Sequence, residues 1–297
     1  FPRLINIWRY KRKDMKKLTL VVVTLFATMI CFTTGCTSKK TETTNDSSQT
    51  DSTILNSTEE EDSASKVIAE TPMPKTADQL FDDFFFNFIA NNKLQRARIK
   101  FPLYQNKFGK ISNLPRSKWS FDRFFRPQGY YTLILDNEEQ AKYAHSTDID
   151  SVVVEKIFLK ENTVKQYWFD HQEGKWMMSQ IRELNFKESY NADFLNFVKV
   201  FFKKNGEGMV KNPLPYKGSD PNGEETNIIN TTIPAEEWST FLPEIPNNVI
   251  FNILYGQKYK PGKEKILTFR GLANGLETEL IFQNNGKKWQ LVKIVAF

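Results

Sequence analysis

Apolar residues recur along this chain in three rhythms, and each predicts a different kind of structure. Leu18 to Phe32 is a nearly unbroken apolar run of 15 residues, too short for a membrane span, which needs about 20. Further on, Leu80, Phe81, Phe84, Phe85 and Phe88 follow an i, i+3, i+4 spacing that makes one apolar face of a helix; Phe194, Phe197, Val198 and Phe201 repeat it. Between and after these faces the apolar residues fall in strand-length stretches: Tyr130 to Leu135, Val152 to Lys160 and Val164 to Asp170, then Val249 to Tyr255, Ile266 to Arg270 and Glu277 to Gln283. A helix followed by a run of antiparallel strands, twice over, predicts an α+β fold.

The two blocks share further landmarks. Phe101-Pro102-Leu103 in the first answers Asn212-Pro213-Leu214 in the second, and Trp119-Ser120 answers Trp238-Ser239, each read as part of a short helix. Phe169 stands seven residues before Trp176, and Phe282 seven before Trp289; Ile181 and Ile294 each follow their Trp by five. Gly174 and Asn285-Gly286 give both closing segments the chemistry of a hairpin turn. These correspondences place domain boundaries at 76–186 and 187–297. The middles differ, since Pro102 to Trp119 spans 17 residues and Pro213 to Trp238 spans 25. The surplus falls in the turn-rich Gly218 to Gly223, expected to be an exposed loop.

Charge and cysteines change the picture ahead of the first block. Of the 41 basic and 35 acidic residues, seven basic ones and Asp14 lie in residues 1–35, which leaves 34 of each sign. The basic excess therefore belongs to the N-terminal segment, and a nucleic-acid partner, which needs surplus Lys and Arg to displace counterions from phosphates, is not expected. Met15-Lys16-Lys17 and the apolar run read as the charged and apolar regions of an export signal, residues 15–35. Thr33-Thr34-Gly35-Cys36 resembles the lipobox of bacterial lipoproteins, although Thr33 stands where Leu is usual; the resemblance implies that Cys36 carries the lipid. Cleavage there would remove Cys31 and leave Cys36 without a disulfide partner. Residues 1–14 are read as upstream translation, and residues 36–75, rich in Ser, Thr and acids, as a disordered tether. The expected address is the cell envelope, with the chain anchored to a membrane through Cys36 and facing either the periplasm or the outside of the cell.

A long first helix, a short Trp-bearing helix and a closing Phe-x6-Trp hairpin resemble the nuclear transport factor 2-like (cystatin-like) fold. The tandem blocks behind a lipoprotein signal, with Phe84-Phe85-Phe86-Asn87-Phe88 and Arg98-Ile99-Lys100-Phe101-Pro102-Leu103, resemble a domain family of Bacteroidetes lipoproteins that has no established reaction. The resemblance implies two tandem cones, each with N-terminal helices on a curved antiparallel sheet, packed as an intramolecular pseudo-dimer.

Chemistry is thinly signalled. The two histidines, His145 and His171, offer one cluster, His145 to Asp150, and a polar loop accounts for it as simply as a metal would. No metal or other cofactor is expected. Asp220 to Glu225 has oxygen ligands suited to calcium but Pro221 interrupts it, and no Gly-rich phosphate loop or Gly-x-Ser-x-Gly elbow is present. Catalytic relatives of the fold place an acid or His with a Tyr between helix and sheet, where Arg96, Arg98, Tyr130, Tyr131 and Asp136 could face a pocket in the first block. Three readings follow: a non-catalytic envelope protein whose paired cones bind a ligand or an envelope protein; a small-molecule enzyme of isomerase or cyclase type; and an inhibitor or immunity-type lipoprotein. Replacing Cys36 by Ser is expected to abolish incorporation of a radiolabelled or clickable fatty acid, and a variant that keeps its label would overturn the anchor.

Overall fold

The computed structural model describes residues 73–220, 227–243, 249–256, 262–272 and 275–297. Cys36, the export signal, nearly all of the tether and most of the loop around Pro221 lie outside these residues. The first helix, α1 (Phe81–Ala90), buries Phe81, Phe84, Phe85 and Phe88 and carries Asp82 and Asp83 in its first turn, where acids complement the helix dipole. Asn91 ends it and opens α2 (Asn92–Ala97), its side chain accepting from the backbone of Leu94 at 2.9 Å. Six strands follow: β1 (Ile99–Lys107), β2 (Lys110–Leu114), β3 (Tyr130–Leu135), β4 (Ser151–Phe158), β5 (Thr163–Gln172) and β6 (Lys175–Asn185). The second half has α3 (Ala192–Lys203) and six more: β7 (Leu214–Ser219), β8 (Ile228–Ile233), β9 (Val249–Leu254), β10 (Glu264–Gly271), β11 (Glu277–Asn284) and β12 (Trp289–Ala296).

Two of the expected features take a different form. Trp119 follows a single 3-10 turn at Arg116–Lys118, whereas Trp238 lies within one at Ala235–Phe241. The sheets are also not wholly antiparallel, because β1 runs parallel to β6 and β7 parallel to β12. These pairs join segments far apart in sequence, so no hairpin turn forces them antiparallel. The matched prolines stand at the starts of these strands, Pro102 within β1 and Pro213 immediately before β7, and the bonds Phe101-Pro102 and Asn212-Pro213 are both cis. A proline within an apolar stretch reads as a strand breaker, which is why these two strands were not foreseen.

The strand order holds the central fact of the fold. One six-stranded sheet runs β2-β1-β6-β5-β4-β9, and the other β8-β7-β12-β11-β10-β3. Each half thus supplies five strands of one sheet and lends its third strand to the other. Strand β9 pairs antiparallel with β4, and β3 with β10, over six residues each. The first core, built on α1, takes Phe251, Ile253 and Tyr255 from the lent strand and the residue after it; the second, built on α3, takes Tyr130 and Ile134.

Where β3 and β9 cross, the join is polar. The Thr132 hydroxyl donates to the carbonyl of Phe251, and the backbone N–H of Ile134 donates to Asn252 Oδ1 at 2.8 Å. Asn252 Nδ2 in turn donates to Glu155 Oε2 at 2.9 Å, and Gln166 Nε2 to Glu155 Oε1 at 2.8 Å. All three side chains are buried, and buried polar groups of this kind hold a structure only when satisfied. Burial pushes the Glu155 carboxyl above its ordinary range, against the pull of the two amide bonds.

A carboxyl with a raised folded pKa binds its proton more tightly in the folded chain, so its contribution to stability falls as pH rises from the unfolded value through the folded one. Asn252→Leu strands Glu155 Oε2 and the Ile134 N–H and is expected to cost about 3 kcal/mol near neutral pH. Because the lost amide favoured the ionised acid, the cost should shrink at pH 4. Urea denaturation at both pH values measures it, and an equal cost at each would show that the charge on Glu155 is not what Asn252 offsets.

Candidate functional site

The structure does not gather the five residues that sequence spacing offered as a pocket. Arg96 pins the segment after β2, donating to the carbonyls of Arg116 and Trp119 at 3.2 and 2.8 Å. Arg98 forms a two-pronged ion pair with Asp78 at 2.7–2.8 Å and donates to the Trp176 carbonyl at 3.2 Å. Tyr130 and Tyr131, as strand neighbours, point to opposite faces; the first lies in the second core and the other in the first. Asp136 is paired with Lys265, which also donates to Asn191 at 2.7 Å. Each of these groups is accounted for by a structural partner.

Two acid–tyrosine pairs do form, both outside that list, although Tyr131 stands beside the first. Tyr255 donates to Asp82 at 2.8 Å beside Tyr131, whose hydroxyl accepts from Arg270 at 3.4 Å; Arg270 is itself clamped by Glu277 at 2.7 and 3.2 Å. Burial pushes the Tyr131 hydroxyl up to about 12, with the Asp82 carboxylate adding to the rise. Burial likewise raises Asp82, opposed by the Tyr255 bond and by the Arg270 charge. The second pair is Tyr167 donating to Asp122 at 2.8 Å, on the core-facing side of the first sheet. Its ring packs against Phe124 at 4.6 Å, and Gln95 ties it to the chain by donating to the Asp122 carbonyl and accepting from the Trp119 indole at 2.9 and 3.0 Å. An open groove of about 580 Å³ and another of about 370 Å³ lie on the surface, and neither reaches these pairs.

At one end of the same face lies a feature of a different kind. Strand register places Lys110, Lys107, Glu183, Lys165, Lys156 and Phe251 in a single row across β2, β1, β6, β5, β4 and β9. Their neighbours two positions inward, Ile181, Tyr167, Val154 and Ile253, line the first core, so by strand alternation the row faces inward with them. Four lysines stand against one glutamate, a net charge of +3. Lys107 pairs with Glu183 at 3.1 Å. Lys165 and Lys156 sit directly opposite each other on antiparallel strands, an arrangement that like charges disfavour. Their ammonium groups lie over aromatic rings, Lys165 at 4.9 Å from Tyr167 and Lys156 at 5.5 Å from Phe251, which recovers part of that cost. Burial pushes the Lys165 ammonium down, Asp122 and Glu183 resist this, and Lys156 and Lys107 reinforce it.

The corresponding row of the second sheet carries no charge. Counted from the matched prolines and the two Phe-x6-Trp hairpins, it consists of Ile229, Gly218, Ala296, Thr278, Phe269 and Thr132. There the Thr278 hydroxyl donates to the carbonyl of Phe241, whose ring packs 4.7 Å from Tyr216. The fold is satisfied by a neutral row, so the lysines are a property of the first half. Sequence offered one hint: residues 91–130 hold ten basic residues and a single acid, Asp122. The row itself required the register.

Among the described residues no cluster of three or more His, Cys, Asp or Glu is placed to hold a metal, and no helix is long and apolar enough to cross a membrane. The family described as "Domain of unknown function (DUF4348)" matches residues 60–296. The crystal structure of an NTF2-like protein from Bacteroides fragilis is similar to this chain at 35% identity, covering 76% of this chain and 99% of that one, with a TM-score of 0.67. No curated protein matches.

A lysine with a lowered folded pKa lessens stability wherever it is charged in the folded chain, an effect relieved as pH rises from the folded value toward the unfolded one. Lys165→Met keeps the cover over Tyr167 and removes the charge facing Lys156. It is expected to stabilise the protein by roughly 0.5 kcal/mol at pH 7, read as a higher denaturation midpoint. A clear loss of stability would mean that the ammonium is structural.

Proposed function

The chain belongs to the DUF4348 family, and from that premise we propose that it is a lipid-anchored, non-catalytic protein of the cell envelope that binds a ligand or a protein partner. In this reading its two halves are tandem nuclear transport factor 2-like cones held as an intramolecular pseudo-dimer. The matched strand orders support the tandem arrangement, and the Bacteroides fragilis relative supports the fold of the cones. The lipobox-like Thr33-Thr34-Gly35-Cys36 supports the anchor.

The observation that carries a binding role is the aromatic filling of the core-facing sides of both sheets. In the first, Phe81, Phe84, Phe85 and Phe88 pack on Phe169 at ring separations of 5.3–6.0 Å. In the second, Phe194, Phe197 and Phe201 pack on Phe282 at 5.1–5.4 Å. Enzymes of this architecture need an open pocket around the acid and tyrosine. Here rings occupy that space, and the polar groups left accessible stand at the rim.

In-cell cross-linking of the anchored chain, followed by purification from solubilised envelopes, is expected to yield a discrete adduct with a protein or glycan. A chain that stays monomeric and free of adduct in every growth condition would overturn the binding role. Turnover of a ketosteroid- or polyketide-type substrate that is lost in Asp122→Asn would replace it with the enzymatic one.

A further inference from the structure

We propose that the lysine row at one end of the first sheet is a binding site for an oligoanion, a ligand bearing two or more phosphate, sulfate or carboxylate groups. The inference deepens the binding role above by naming its chemical class, and it rests on that role. Neighbouring strands lie about 4.8 Å apart, so Lys165 and Lys156 present ammonium groups one strand apart, and Lys107 stands two strands from Lys165 across Glu183. A ligand whose anionic groups recur every roughly 5–10 Å matches that spacing, whereas a single small anion meets only part of it.

Three observations separate this row from ordinary surface charge. The lysines are set opposite one another at a cost that the neutral row of the second sheet avoids, and nothing in the packing of the first sheet requires them. The nearby carboxylates are two, Glu183 paired with Lys107 and Asp122 beneath the Tyr167 hydroxyl, against four lysines, which leaves the row short of counter-charge. Finally, the ammonium groups of Lys165 and Lys156 lie over aromatic rings, so they are held in place before a ligand arrives and less order is lost on binding. An anion bridging both heads would turn a repulsion into two charge-assisted bonds.

Isothermal titration calorimetry of the whole chain at low salt tests this with inorganic tripolyphosphate, sucrose octasulfate and orthophosphate. At least one of the two oligoanions is expected to bind ten or more times more tightly than orthophosphate, and which of them binds better tells a phosphorylated ligand from a sulfated one. Lys156→Gln with Lys165→Gln should weaken that binding at least tenfold, and Lys156→Arg with Lys165→Arg should restore most of it. Lys287→Gln with Lys288→Gln, in the exposed turn of the second sheet, should leave it unchanged. Absence of oligoanion binding, or equal weakening by the two glutamine pairs, would overturn the site. If the envelope adduct persists in that event, the binding role stands and its surface lies elsewhere; if the adduct is absent while oligoanions bind, the partner reading fails and the anion site remains.

Discussion

Everything in this molecule hangs on the crossing of β3 and β9. A sheet of five strands would end on β4 or on β10 with a bare edge, and each is covered by a strand from the other half. The lent strands also carry core residues, so neither aromatic interior is complete without its neighbour. At the crossing itself Asn252 bonds at once to the backbone of β3 and to the buried acid of β4. One amide therefore ties both sheets to a group that is costly to bury and costlier to leave alone. In the second sheet the positions matching Asn252 and Glu155 are Leu133 and Thr268, so the polar fastening is single, not doubled.

Much of the local structure was legible because it depends on neighbours in sequence. The helical faces at Phe81–Phe88 and Phe194–Phe201, the strand from Tyr130 to Leu135 and the turns at Gly174 and Gly286 all follow from spacing and turn chemistry, and the structure has them. Strands β1 and β7 were hidden by Pro102 and Pro213. The exchange was hidden for a deeper reason: β3 looks the same whether it pairs within its half or across, since it is buried on both faces and its continuous apolar run fits β4 as well as β10. The pocket residues failed for a related reason. Tyr130 and Tyr131 are adjacent in sequence, and adjacency along a strand places side chains on opposite faces.

The two halves keep one frame and fill it differently. Matching rows cross both sheets at the same register, yet one carries four lysines and the other none. Near that row the core-facing side of the second sheet is plugged by Phe241, while the first keeps the Asp122–Tyr167 bond and a charged rim. A frame of matched strand order in both halves allows such differences, because the stability of one sheet can offset what the other gives up. The repulsion between Lys156 and Lys165 is tolerable in a sheet whose far edge is secured by a strand from its partner.

The clamp between Arg98 and Asp78 has a bearing on how the molecule would stand. Asp78 lies just ahead of α1, and besides the two-pronged ion pair it accepts the backbone N–H of Trp176 at 3.2 Å. The chain arriving from residue 73 is thereby fastened at the start of β6. Glu183 and the lysine row lie seven residues farther along that strand, roughly 23 Å away. If a tether pulls from Cys36, it takes hold at one pole of the sheet and leaves the other free. The basic rim then points away from the bilayer, toward whatever approaches from the far side.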